Sequence, residues 1–219
     1  MSWRWSVTRS YVLIDRESWR PFFNLVFFCG VALVLSIPGA RIVQDLASTS
    51  FLSRLPTFFY AYALFMGFLG LGLGATSAER EERGARMLFW LASRVLLGQL
   101  LCLPYLIFSR ALFHGREGAF VLIFLFATLV SLLCGVFSRL VEQPLRGRSS
   151  TSFVAKYVFF LCYNAIPLAG FPLFSPLGAV RLFLEGVTPL HALLAFAVPA
   201  SLLAVLSLLA VRLGGEARV

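Results

Sequence analysis

Six apolar runs, each close to the length of a bilayer-crossing helix, divide this chain, and the segments between them carry nearly all of its charge. The runs cover residues 22–38, 58–76, 95–112, 119–138, 157–174 and 190–211 of 219. A helix needs about 20 apolar residues to cross the hydrocarbon core, so each run qualifies or comes close. The third is the weakest, with only fifteen residues between Arg94 and Arg110, and both arginines are expected to snorkel to the interfaces. The runs are rich in Leu, Ala and Phe and lack the two-residue alternation of a membrane barrel. The expected fold is an all-α integral membrane protein, with residues 1–219 forming a single transmembrane domain of six helices.

Composition agrees. The hydrophobic fraction is 59% and the charged fraction 13%, against about 45–50% and 25% in soluble domains. One soluble core of this size has no room for that much apolar surface, and a mean hydropathy of +0.87 points to lipid as the solvent. The net charge of +9 does not indicate nucleic acid, because the basic residues sit in short loops between apolar runs and no nucleic-acid motif occurs. Cys29, Cys102, Cys134 and Cys162 all fall within apolar runs and form no C-x-x-C pair, so they are expected to be small buried hydrophobes. The first run is read as an uncleaved span, since its charged leader is too long for a signal peptide and Pro38 is a poor residue three before a cut.

The cations set the expected orientation. With the N-terminus inside, fourteen of the nineteen Lys and Arg residues fall on cytoplasmic segments, and only Arg41, Arg54, Arg110, Arg116 and Arg181 fall outside. Both ends are therefore expected in the cytoplasm. Ahead of the first span, residues 3–20 mix Trp3, Trp5, Tyr11 and Trp19 with Arg4, Arg9, Arg16 and Arg20. Rings and guanidinium groups together favour the headgroup layer, so an interfacial helix is expected there.

Catalytic constellations are not found in the sequence. There is no G-x-x-x-x-G-K-[ST] loop, no H-E-x-x-H pair and no G-x-S-x-G elbow, and His114 and His191 are far apart. None of the ten acidic residues falls mid-span, which argues against a proton path. No enzyme activity, metal or cofactor is expected. On the second span Gly67, Gly70 and Gly74, flanked by Ala63 and Ala78, place small residues three or four apart, the pattern of close helix packing. Asn24, Gln99 and Asn164 are the deepest polar residues and are expected to make interhelical hydrogen bonds.

The densest charge follows the second span, where Glu79, Arg80, Glu81, Glu82, Arg83, Gly84 and Arg86 precede an apolar stretch at residues 87–91. A solvated loop is the plain reading, and a partner-docking element the functional one. In this segment the chain resembles the permease subunit of type-2 ABC exporters, whose second span is followed by an acidic, glycine-containing segment, a leucine-rich stretch and a Gly-Lys pair. Glu79, Glu81, Glu82 and Gly84 match the acidic and glycine positions, residues 87–91 the apolar stretch, and Gly98-Gln99 the later pair. Ala85 stands where Thr is usual and Gln99 where Lys is usual. The segment 171–190, with Pro172, Pro176, Gly178, Gly186 and Pro189, is similar to that family's re-entrant hairpin between spans five and six.

The resemblance implies a passage built from two permease copies, or one copy and a homologue, in a prokaryotic cytoplasmic (inner) membrane. It implies separate ATP-binding cassette subunits docked on residues 79–86, with ATP held only by those partners. Two other readings remain: the substrate-binding membrane subunit of an energy-coupling vitamin transporter, and a non-transporting scaffold or assembly protein. The first would gather polar residues near one membrane face; the second would bind partners without nucleotide-dependent flux.

Overall fold

A computed structural model describes residues 16–36, 57–79, 84–113, 117–145, 149–165, 175–186 and 188–216. Seven helices make up nearly all of them: α1 (Arg16–Leu35), α2 (Thr57–Glu79), α3 (Ala85–Phe113), α4 (Glu117–Glu142), α5 (Ser149–Ala165), α6 (Pro176–Glu185) and α7 (Pro189–Glu216). Among the described residues, four stretches are long and apolar enough to cross a membrane: Phe58–Ala78, Ala85–Arg110, Gly118–Glu142 and Pro189–Arg212. A shorter apolar stretch, Trp19–Leu35, lies on α1. The protein is thus an all-helical, multi-pass membrane protein. Its outward faces carry bare Phe23, Phe89, Leu100, Leu161 and Leu208, which water would not tolerate in such number.

The boundaries differ from the sequence reading in physically informative ways. Residues 16–20 belong to α1 itself, so this apolar helix runs back into the segment expected to lie along the interface; residues 3–15 lie outside the described residues. The third span, the weakest in the sequence, lies on the longest helix among the described residues, at 29 residues. It begins directly after Gly84, whose φ of 59° is a backbone state that glycine adopts without a Cβ clash. The apolar stretch 87–91 is therefore the start of α3, with Met87, Trp90 and Leu91 buried in the bundle. Helix α5 starts in the run Ser149-Ser150-Thr151-Ser152 and ends at Ala165, eight residues earlier at its beginning than the fifth expected span. Residues 166–174 of that span lie outside the described residues.

Contacts between helices fix their relative directions. Phe59 meets Phe120, Gly70 meets Ser131 and Gly74 meets Gly135, so α2 and α4 run parallel and in step. Helix α3 runs against both, since Gly98 lies on Leu69 and Leu91 on Gly135. Helix α1 runs with α3, pairing Cys29 with Cys102 and Gly30 with Tyr105, and against α2, pairing Pro21 with Gly72 and Phe28 with Phe65. Helix α5 opposes α4, with Lys156 on Glu142 and Phe159 on Phe137. These five helices alternate in direction along the chain.

Helices α2 and α4 form the centre. A Cβ built on Gly70 falls 2.8 Å from the carbonyl carbon of Ser131, and one on Gly74 falls 2.7 Å from the Ser138 Cβ. The small-residue face of α2 thus meets another helix of the same chain, and Gly67 receives the ring of Phe160 from α5. Ser138 Oγ donates to the Leu71 carbonyl at 2.7 Å, a hydrogen bond that this backbone approach permits.

Helix α6 is short but well delimited. Ser175 caps its start, accepting the Gly178 N–H at 3.1 Å; Pro176 takes the first turn and Gly186, at φ 92°, ends it. Ala179, Val180 and Phe183 are buried against α2 and α4, and Phe183 packs on Phe126 and Phe196. Ten residues span about 15 Å, half a hydrocarbon core.

Candidate functional site

Polar side chains inside the bundle gather in two places. Midway along it, the Tyr62 hydroxyl donates to Gln99 Oε1, and Gln99 Nε2 donates to Thr128 Oγ1 at 2.8 Å and to the Phe124 carbonyl at 3.3 Å. This clamp ties α2, α3 and α4. It forms because Gln99, two helical turns past Leu91 on the inward face of α3, reaches between the parallel pair α2 and α4. Asn164 makes no comparable link: its Nδ2 donates to the Phe160 carbonyl of its own helix at 2.8 Å. Asn24 is exposed on α1, where it faces the groove described below.

The second gathering lies at the end of the bundle where α1, α3 and α5 begin and α2 and α4 finish. Arg139 donates to the Ser77 carbonyl in the last turn of α2, where helix carbonyls lack intrahelical partners. Lys156 of α5 pairs with Glu142 at the end of α4. Arg94 does not snorkel outward. It is buried, with its guanidinium 5.7 Å from the centre of the Trp90 ring, because α3 extends well beyond it and turns it into the bundle. Arg20 and Arg86 are exposed at the same end. Sequence reasoning counted Arg94, Arg139 and Lys156 only as cytoplasmic anchors. Their one signal was position, since each borders or interrupts an apolar run.

Of the residues proposed for partner docking, Gly84 forms the turn before α3 and Arg86 is exposed in its first turn. The Glu79 backbone ends α2, while its side chain and Arg80, Glu81, Glu82 and Arg83 lie outside the described residues. The cysteines divide: Cys29, Cys102 and Cys134 are buried as expected, but Cys162 faces outward on α5. Among the described residues no group of three or more His, Cys, Asp and Glu side chains is placed to hold a metal.

Between α1, α2 and α5 runs a groove of about 480 Å³ that opens at this basic end. Arg20, Asn24, Lys156 and Tyr157 line it toward the mouth, and Phe28, Phe65, Phe68 and Leu69 line it further along. Among the described residues, no carboxylate lines it. The arrangement places cations at one end and apolar walls beyond. No family model, curated protein or solved structure matches the chain.

Proposed function

We propose that this chain is the permease subunit of an ABC-type exporter, forming a substrate passage with a second copy or a homologous permease and driven by separate ATP-binding subunits. In this reading it crosses the membrane six times with both ends in the cytoplasm. Helix α1 and residues 157–174 complete the set of spans, residues 3–15 lie along the interface, and α6 is the returning arm of a re-entrant hairpin. The membrane is a prokaryotic cytoplasmic one, and the chain itself hydrolyses nothing.

The observation that carries the reading is the turn between α2 and α3. Helix α2 ends at Glu79 and Gly84 leads directly into α3, so the described ends that flank the mixed-charge residues 80–83 both lie at the basic end of the bundle. The start of α1 lies at the same end, within reach of one partner. The Arg139 bond to the Ser77 carbonyl then links the base of that connection to α4, a route by which force on the loop would reach the central helix pair.

The test is co-purification in mild detergent with ATP-binding subunits from the source cell, followed by ATPase assay of the complex. Glu79→Arg, Glu81→Arg and Glu82→Arg together are expected to release the ATPase while leaving the membrane chain folded. Retention of a fully active ATPase by that variant would refute the docking site.

A second reading, the substrate-binding subunit of an energy-coupling vitamin transporter, draws support from the groove, which collects polar groups toward one face. It requires the isolated chain to bind a water-soluble vitamin tightly, which isothermal calorimetry measures.

A further inference from the structure

The groove lies between α1 and α5, which both rest on α2. Helix α1 approaches where the Pro21 ring lies over Gly72, with a Cβ on that glycine falling 3.1 Å from Pro21 Cγ. Helix α5 approaches further along, where Phe160 covers Gly67 and Tyr157 meets Phe68. The space left between them is walled largely by aromatic and aliphatic side chains. Phe28 and Phe153 form its outer rims, and both are substantially exposed.

Three features of this groove bear on its occupant. Its mouth holds Arg20 and Lys156, with no carboxylate lining it among the described residues and with exposed Trp19 next in sequence to Arg20, the Trp–Arg pairing of the headgroup layer. Lys156 is paired with Glu142, but an ammonium has three N–H donors and that pair uses one. Its volume of about 480 Å³ lies within the range of ligand pockets. A helix 10–12 Å across displaces roughly 500 Å³ in each turn, so the groove admits about one turn of a partner helix. A flexible acyl chain can follow it throughout.

We propose that the α1–α2–α5 groove is a seat for an anionic phospholipid of the leaflet at the basic end, with one acyl chain lying along Leu69, Phe68 and Phe65 and the phosphate at Arg20 and Lys156. Basic pockets between membrane helices hold acidic headgroups in this way, and the leaflet facing the cytoplasm is the anionic one. The proposal needs only that the chain spans a membrane. It stands or falls separately from the exporter reading, which is tested by ATPase capture.

Native mass spectrometry of the full chain, released from nanodiscs of phosphatidylcholine with or without phosphatidylglycerol, reads the seat directly. Phosphatidylglycerol is expected to remain bound after delipidation and phosphatidylcholine to be lost. Arg20→Gln, on an exposed position, is expected to weaken phosphatidylglycerol retention about fivefold, the effect of one cation near a headgroup. Glu142→Gln releases Lys156 and is expected to strengthen retention by a similar factor, which a damaged fold would not do. Equal retention of the two lipids, or an unchanged preference in both variants, overturns the proposal. So does full competition by glycerophosphoglycerol, which has the headgroup without chains. Disulfide cross-linking of two copies through Phe153→Cys in phosphatidylglycerol nanodiscs would show the groove covered by protein instead and would equally overturn it.

Discussion

Replacing Gly70 by alanine tests whether the α2–α4 contact organises this bundle. The added methyl would lie 2.8 Å from the Ser131 carbonyl carbon and 3.0 Å from its Cα, nearer still to the oxygen. Carbon atoms settle at about 3.5–4.0 Å, so the two helices must separate by about 1 Å. Backbone provides the clash, and no side-chain rotation relieves it. Separation also stretches the Ser138 bond to the Leu71 carbonyl, 2.7 Å in the native contact, and the nearby Arg139 bond to Ser77. Overpacking costs about 1–3 kcal/mol, and interhelical hydrogen bonds in membranes average about 0.6 kcal/mol each. A loss of about 3 kcal/mol is expected, a shift of about a hundredfold in the folding equilibrium. Gly118→Ala is the control, because nothing lies within 4 Å of a Cβ there. It is expected to stay within about 1 kcal/mol of the parent, the scale of helix propensity. Both are read by equilibrium unfolding in mixed micelles of mild detergent and dodecyl sulfate. Wild-type stability for Gly70→Ala would refute the packing argument.

Three further outcomes follow from the side chains. Gln99→Leu removes the acceptor of the Tyr62 hydroxyl and the donor to Thr128, and is expected to cost about 1–2 kcal/mol in the same unfolding assay. Tyr62→Phe added to it should cost little more, because the hydroxyl has already lost its partner; full additivity would contradict the clamp. For the part-buried Lys156–Glu142 pair, Lys156→Met alone is expected to destabilise more than Lys156→Met with Glu142→Leu, since the double change strands no charge; thermal denaturation in detergent compares them. Single cysteines at Arg20, Arg86 and Gly118, introduced into a chain lacking the native four, test direction. Impermeant maleimide should label Arg20→Cys and Arg86→Cys from one side of sealed vesicles and Gly118→Cys from the other, and same-side labelling of all three would contradict the alternating order.

Much of this architecture is legible in the residues alone, because crossing a bilayer is a demand on local composition. Runs of Leu, Ala, Val and Phe long enough to span it must form helices, and their order along the chain follows directly. The spacing of Gly67, Gly70 and Gly74 likewise announces close packing, since small residues three or four apart share one helix face. Residues 16–20 and 85–94 were harder to place, as hydropathy counts an arginine against a span wherever it points. Helix α3 continues through Arg94 because that side chain is enclosed beside Trp90.

Everything that depends on helix rotation and neighbour choice belongs to the tertiary structure. The periodicity of α2 left open whether its glycines meet another span or another subunit, and only the assembled chain puts Ser131 and Gly135 opposite them. Gln99 and Asn164 read alike in sequence; one bridges three helices and the other bonds its own backbone, because their helices face them in different directions. Lys156 and Glu142 lie fourteen residues apart, and the groove joins three helices distant in the chain. A bilayer rewards apolar length equally on every face of a helix, so sequence determines that these segments enter it and roughly where. Which faces meet is decided by shape, by the backbone approach that glycine permits, and by the few polar groups that must find partners away from water.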